Sequence, residues 1–97
     1  AELADALLNA EWQQTLGFAR VFEERHVTDP DVSITAFLVE EQRAWIALRD
    51  ATCAWDIVNY VEGVLQYGEE ARAMCITDQT MERVAYLRYM GRNLMGW

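Results

Sequence analysis

Apolar residues recur at intervals of three and four along most of this 97-residue chain, and that spacing marks one face of an α-helix. The spacing predicts a first helix over residues 2–27, a second over residues 30–58 and a third over residues 69–95. Residues 59–68 lose the period and contain two glycines, which predicts a connecting loop. The expected fold is therefore all-α, with three helices packed mostly antiparallel in a single domain that comprises the whole chain.

The predicted second helix has a strong start signal. Asp29 is a favourable N-cap residue, and Pro30, the only proline of the chain, suits the first helical position, where its missing N–H is no loss. The tetrapeptide TDQT at residues 77–80 is a candidate interruption of the third helix. The apolar stripe expected to face the core from the second helix consists of Ile34, Leu38, Trp45, Leu48 and Trp55, with Phe37 beside it.

The charge of the chain excludes several classes of partner. Sixteen acidic residues stand against eight arginines, lysine is absent, and the formal net charge is −8. Nucleic acid and anionic lipid surfaces are not expected partners because they would be repelled, whereas a basic protein would be attracted. No apolar run reaches 18 residues, so no transmembrane segment is predicted. The opening AELADALLNAEW lacks the basic start and apolar middle of a secretory signal, which fits either a cytosolic protein or a mature exported form.

Two cysteines, Cys53 and Cys75, bear on that choice. They lack the further ligands of a zinc site and the C-x-x-C spacing of a redox motif, which leaves two free thiols or one disulfide. Cys53 lies near the end of the second predicted helix and Cys75 near the start of the third, so the two are level in an antiparallel pair. This placement favours the disulfide, and with it an oxidising compartment, the periplasm or the cell exterior.

A bridge between these cysteines sets a register in which level residues have numbers that sum to 128. Trp45 then lies opposite Arg83, which predicts a cation–π contact, and Arg49 is expected to reach Asp78 or Glu82. The mixed polar and aromatic residues of the second helix are therefore interpreted as a seam between helices. The alternative is that these polar groups line a binding groove.

Three segments resemble the secreted bacterial domain family named for the lysozyme inhibitor LprI. They are LNAEW, QRAWIALRDATC and, after a second cysteine, TMERVAYL. The residues that match the family pattern are Leu8, Asn9, Trp12, Gln42, Trp45, Arg49, Asp50, Cys53, Cys75, Arg83 and Leu87. The chain departs from the pattern at Trp12, where tyrosine is more usual, and in a longer stretch between Asn9 and Gln42. The resemblance implies a helical, disulfide-bridged, exported domain, with lysozyme inhibition attributed to some relatives, and its matching residues look like determinants of the fold.

Two functions are weighed on this basis. The first is an exported inhibitor of a lysozyme-type cell-wall hydrolase, with a basic lysozyme-type protein as partner. Such an inhibitor must fill a cleft that contains two catalytic carboxylates, and the candidate contact loops are residues 26–33, with His26, Thr28 and Ser33, and residues 59–68, with Asn59, Tyr60, Gln66 and Tyr67. The alternative is a non-enzymatic envelope module that binds another protein or itself, because four Trp and four Met are enough to leave an apolar patch exposed.

An enzymatic function, a cofactor and a metal site are not predicted. The only histidine, His26, lies at a helix end, where it is expected to interact with the helix dipole rather than act as a base. The neighbouring carboxylates Glu40 and Glu41, and likewise Glu69 and Glu70, point in different directions on a helix. The sequence therefore favours a binding function, and it does not fix the oligomeric state.

Overall fold

The computed structural model describes residues 2–59 and 65–95, with side chains described for residues 3–55 and 68–95. Its elements are three helices, α1 Glu2–His26, α2 Ile34–Asn59 and α3 Leu65–Leu94. Neither described range contains a β-strand. The prediction of an all-α, three-helix fold is confirmed.

α2 begins at Ile34 and not at residue 30, so the N-cap predicted at Asp29 is wrong. Asp29 and Pro30 instead open a turn, in which Val32 N donates to Asp29 O at 3.1 Å and Asp31 N donates to Asp29 Oδ1 at 2.9 Å. Asp-Pro is as favourable at the start of a turn as at the start of a helix. The N-cap is Ser33, whose Oγ accepts a hydrogen bond from Ala36 N at 3.1 Å.

α3 begins at Leu65, four residues before the predicted start. The prediction of a loop over residues 59–68 is therefore wrong for residue 59 and for residues 65–68, while residues 60–64 lie outside the described part of the chain. α3 is also continuous through residues 77–80. Thr80 in that stretch is fully buried, so the helix packs inward at the point where its sequence is most polar.

The order of contacts along the helices gives their directions. Glu11 of α1 pairs with Arg88 of α3 at 2.7 Å, and further along both helices Phe18 lies against Gly91, where a Cβ atom would meet its ring at 3.1 Å. Residue numbers rise together in this pair, so α1 and α3 are parallel. α2 runs antiparallel to α3, because Gln42 contacts Arg83 whereas the later Cys53 is bonded to the earlier Cys75. It is therefore antiparallel to α1 as well.

The apolar core lies between α1 and α3. Leu8, Val84 and Leu87 are buried against one another, and the half-buried Leu7, Trp12 and Trp45 pack around them. Thr15, which is also buried, satisfies its hydroxyl by donating to Glu11 O at 2.8 Å. The buried hydroxyl of Thr15 is thus paired, as burial requires, whereas the buried Oγ1 of Thr35 in α2 has no hydrogen-bond partner among the described residues.

The molecule is elongated, with a Cα radius of gyration of 16.8 Å and a long dimension of 58 Å, where a compact chain of this length has about 12.5 Å. Since Leu8 packs with Val84 and helices rise 1.5 Å per residue, the start of α1 is level with about residue 78 of α3. Residues 49–59 and 65–79 therefore extend beyond α1 as a two-helix arm. The rest, in which all three helices pack together, is here called the three-helix body.

The apolar stripe predicted for α2 is only partly correct. Leu38 is buried and Ile34 and Trp45 are half-buried, as expected. Leu48 and Trp55, however, expose 64% and 62% of their surface, and Phe37 exposes 70%. These three residues lie on the side of α2 that faces solvent, where none of the described helices packs against them.

Candidate functional site

The disulfide joins the two helices of the arm. Cys53 of α2 and Cys75 of α3 are bonded, with their Cα atoms 5.5 Å apart, which lies within the usual range for such bridges. Cys53 is fully buried and Cys75 is half-buried. The predicted bridge is confirmed, and it holds α2 and α3 at the register on which the contacts of the body depend.

Arg83 is the centre of a polar seam between α2 and α3, and it is 95% buried because only 5% of its surface is exposed. Its Nε donates to Gln42 Oε1 at 2.9 Å and its Nη1 donates to Glu41 Oε2 at 2.9 Å. Its Nη2 donates to the other carboxylate oxygen of Glu41. The guanidinium therefore makes a bidentate pair with a carboxylate and one further hydrogen bond, which is how a buried cation is usually compensated.

Aromatic rings cover the faces of the same guanidinium. Its Cζ lies 5.3 Å from the ring centroid of Trp45 and 5.2 Å from that of Tyr86, within the distance of a cation–π contact. The predicted contact between Trp45 and Arg83 is confirmed. Arg83 thus lies within cation–π distance of one ring on each helix, and these contacts help to specify how α2 and α3 face each other.

Arg49 lies on the same ring of Trp45, with its Cζ 5.3 Å from the centroid. Its ion-pair partner is the neighbouring Asp50, whose Oδ1 is 2.9 Å from Nη2, and its Nη1 donates to Thr80 Oγ1 at 3.4 Å. The prediction that Arg49 reaches Asp78 or Glu82 is wrong. Both of those acidic residues are exposed on α3, whereas Thr80 faces α2.

The contacts of Arg83 bear on the alternative that the seam is a binding groove. A shallow groove of about 260 Å³ does open beside it, lined by Trp45, Gln79, Glu82, Arg83 and Tyr86. Three donors of Arg83 are already bonded to Glu41 and Gln42. Arg83 therefore has few donors left for a ligand in this groove.

The loop between α1 and α2 is held by groups from both helices. Glu23 of α1 accepts hydrogen bonds through Oε1 from Ile34 N and, at 3.3 Å, from Thr35 N, the first two residues of α2. A carboxylate at this position satisfies free N–H groups and interacts favourably with the positive end of the helix dipole. With the turn at Asp29 and the cap at Ser33, these bonds fix the path of residues 27–33.

The three candidate contact residues at this end of the molecule differ in availability. His26 and Thr28 are exposed, and the His26 ring rests against Phe22 with centroids 4.6 Å apart. Ser33 is exposed as well, but its hydroxyl caps α2. Of these three candidates, His26 and Thr28 therefore have side chains that are available for hydrogen bonds to a partner.

The second set of candidates lies at the opposite end. Asn59 is the last residue of α2, and Gln66 and Tyr67 are in the first turn of α3, while the side chains of all three, and Tyr60 entirely, lie outside the described residues. The 26 residues of α2 separate the two candidate regions by about 39 Å. They cannot form one site, so a single contact uses one end or the other.

The described residues hold no group of three or more His, Cys, Asp and Glu side chains that could bind a metal ion. Nor is any helix within residues 2–59 and 65–95 long and apolar enough to cross a membrane. A larger groove, of about 490 Å³, lies between α1 and α3 and includes Thr15, Phe18 and Gly91 in its lining.

Apart from the exposed Asn9 and the two bridged cysteines, the residues that carry the family pattern lie in the core or the seam. Leu8 and Leu87 are buried in the core and Trp12 packs against it, Asn9 is exposed, and the seam contains Gln42, Trp45, Arg49, Asp50 and Arg83. The partners that escaped the sequence prediction include Glu41 on Arg83, Thr80 on Arg49 and Glu23 on the start of α2. Glu41 is adjacent to Gln42, so its side chain can also contact Arg83. Nothing in the sequence connects Glu23 to Ile34 and Thr35, which lie 11 and 12 positions later.

Comparison with protein families gives one match. The family model described as lysozyme inhibitor LprI matches residues 1–87. No curated protein and no solved structure matches the chain. The matched range includes α1, α2 and the disulfide, and it ends at Leu87 within α3.

Proposed function

Because the chain belongs to the family of lysozyme inhibitor LprI, we propose that it is an exported protein that inhibits a lysozyme-type cell-wall hydrolase by binding to it. The match over residues 1–87 carries this proposal. The Cys53–Cys75 disulfide supports export, since such bonds persist in the periplasm and outside the cell and are rare in the cytosol.

We infer that the α1–α2 loop, residues 26–33, makes the contact. Glu23, the turn at Asp29 and the Ser33 cap hold this loop in one conformation. A loop that is ordered before binding loses little conformational entropy when it binds, so more of its contact energy appears as affinity. This favours a fixed loop at the end of the body as an inhibitory element.

The chemistry of the loop suits the target. A glycosidase cleft contains two carboxylates about 5 to 9 Å apart, which would repel an inserted acidic side chain and accept a hydrogen bond from a donor. His26 and Thr28 offer such donors and are exposed. They are the residues proposed to enter the cleft.

The acidic residues around the loop would attract the basic surface of the enzyme. Residues 23–33 contain four acidic residues and Arg25, a net charge of −3 in 11 residues. Residues 49–79, which include the arm, contain six acidic residues and two arginines, a net charge of −4 in 31 residues. The loop therefore has the denser negative charge, which raises the rate of encounter with a basic partner.

The proposal is tested by measuring lysis of cell-wall suspensions by a basic lysozyme while the protein is titrated. We expect inhibition to saturate near one molecule per enzyme and to weaken as salt is added, because salt screens charge attraction. The double variant His26→Ala/Thr28→Ala should inhibit at least about tenfold less well if the two donors together contribute about 1.4 kcal/mol.

A matched pair of charge variants distinguishes the loop from the arm. Glu24→Gln/Asp31→Asn and Glu70→Gln/Asp78→Asn each remove two exposed carboxylates, the first pair near the loop and the second on the arm. We expect the first to slow association with the enzyme more than the second. Equal effects would reject the loop as the contact, and unchanged lysis at a large molar excess would reject inhibition of that enzyme.

A further inference from the structure

α2 presents an apolar face to solvent, and this face is far less charged than the rest of the molecule. Six exposed residues between positions 44 and 55 lie on this side of α2, and none is charged: Ala44, Ala47, Leu48, Ala51, Thr52 and Trp55. The chain as a whole is 25% charged. An exposed, uncharged helix face of this length is typical of an interaction surface.

The residues along the middle of this face follow a regular spacing. Phe37, Ala44, Leu48, Ala51 and Trp55 are separated by seven, four, three and four residues, which places them along one side of α2 over about 27 Å. We call this side the outer face of α2. All five residues are exposed, and the spacing is that by which helices pack lengthwise on one another.

We propose that a second copy of this chain covers the outer face of α2, with the two α2 helices antiparallel. In a two-fold arrangement centred near residue 46, level residues have numbers that sum to 92. Phe37 of one copy then lies opposite Trp55 of the other, and Ala44 lies opposite Leu48. Aromatic rings pair with aromatic rings and a small residue faces a large one, so the face is complementary to itself, as an isologous contact requires.

The charges beside the outer face permit this pairing. Glu40 and Arg43 are the most exposed charged residues of α2 within residues 34–55, and they form an ion pair at 2.9 Å within one copy. The half-exposed carboxylate of Asp50 is paired with Arg49. In the antiparallel register Glu40 is level with Thr52 of the second copy, so no acidic residue meets another. Arg43 is level with Arg49 of the second copy, and the ion pair of Arg49 with Asp50 at 2.9 Å offsets part of the repulsion between these two cations. The net charge of −8 adds a repulsion that acts at longer range and is screened by salt.

The area available fits a weak, reversible dimer. Phe37 and Trp55 expose 70% and 62% of their surface, which is about 100 to 150 Å² each for side chains of this class. With Leu48 and the exposed alanines, one copy contributes about 400 to 500 Å² and the pair about 800 to 1,000 Å². Specific protein–protein interfaces that bury so small an area usually belong to transient complexes.

Salt should strengthen the contact between two acidic copies, because it screens their mutual repulsion. This effect can be measured without an enzyme. We would measure the molar mass of the purified full chain by sedimentation equilibrium over about 1 to 500 µM, the range in which a contact of this size should dissociate. The expected result is a monomer–dimer equilibrium that shifts toward the dimer as salt is raised. No enzyme is present in this measurement, and binding of a basic enzyme would weaken as salt is raised. The dimer and the proposed inhibition can therefore fail or succeed separately.

Two variants with the same change in charge locate the contact. Leu48→Glu places a carboxylate at the centre of the outer face, and Met74→Glu places one on α3, where the side chain is 67% exposed, close to the 64% of Leu48. We expect Leu48→Glu to weaken dimerisation about tenfold or more and Met74→Glu to leave it within about twofold. Circular dichroism should show both variants folded, since both sites are exposed.

Three outcomes would overturn the proposal. A monomer at every concentration and salt would mean that a different molecule, or none, covers the face. Equal effects of the two variants would place the dimer contact elsewhere. Loss of enzyme binding in Leu48→Glu, with no dimer in the unsubstituted chain, would assign the outer face to the hydrolase instead.

Discussion

The three-helix body and the two-helix arm are stabilised in different ways. The body buries Leu8, Val84 and Leu87 between its helices. In the arm, among residues 49–55 and 68–79, Cys53 has the only buried side chain. Gly68, which has no side chain, is also buried. The arm has two helices and the disulfide, whereas the body has a third helix and a core.

The difference follows from how much apolar surface each arrangement can bury. Two helices side by side leave most of each surface in water, and a small chain has little burial to spare. A covalent bridge stabilises such a pair by restricting the unfolded chain, and this effect does not depend on a core. We infer that the bridge substitutes in the arm for the packing that α1 provides in the body.

The largest expected effect is on the core of the body. Leu87→Ala removes a side chain that is 1% exposed, and truncation of a buried leucine costs about 3 to 4 kcal/mol in free energy of unfolding. The matched change in the arm, Met74→Ala, should cost less than about 0.5 kcal/mol because that side chain is already in water. Urea unfolding of both variants measures the difference, and similar costs would contradict the comparison.

Removal of the disulfide should have the next largest effect. Cys53→Ala/Cys75→Ala opens a covalent link between residues 22 positions apart, which should lower the free energy of unfolding by about 3 kcal/mol. We expect backbone amides of residues 65–79 to exchange with solvent faster in this variant while those of residues 80–90 remain protected. Equal loss of protection in both ranges would mean that arm and body unfold as one unit.

The seam between α2 and α3 should show a smaller effect. Arg83→Met keeps the length of the side chain but leaves buried Gln42 and the carboxylate of Glu41 without their donor, which should cost about 2 kcal/mol. Arg88→Met is the control, since it breaks the more exposed ion pair with Glu11 and should cost about 0.5 kcal/mol. If thermal denaturation gives equal losses, the seam does not specify the packing of α2 on α3.

The smallest effect is expected at the α1–α2 loop. Glu23→Gln weakens the acceptor for the first two N–H groups of α2 and should cost about 1 kcal/mol. Glu24→Gln makes the same change in charge at an exposed neighbour and should be nearly neutral. We expect only Glu23→Gln to speed amide exchange at residues 34–36, and indistinguishable exchange would show that another group holds the loop.

Helical periodicity and the two cysteines predicted the main features of the fold. Apolar spacing located all three helices, and the bridge gave a register from which the stacking of Arg83 on Trp45 followed. Both signals are local or covalent, so they can be read without knowing which surfaces meet. The hydrogen bonds of Arg83 to Glu41 lie a turn away from that register, because a long side chain reaches beyond its own level.

Features that depend on the relative position of helices were missed. Leu48 and Trp55 match a core stripe in sequence, yet they are exposed because that side of α2 has no third helix against it. The start of α2 was misplaced because Asp29 and Pro30 fit a turn as well as a helix, and the carboxylate that caps α2 comes from Glu23 on another element. No single-sequence pattern encodes such a distant partner.

The most direct test of the proposed contact is hydrogen exchange of the protein in the presence of a saturating basic lysozyme-type enzyme. We expect slower exchange for the backbone amides of residues 26–36, the α1–α2 loop and first turn of α2, and unchanged exchange for residues 68–79 of the arm. Protection confined to the arm would contradict the assignment of the loop. No change in either range would contradict the proposal that the protein binds that enzyme.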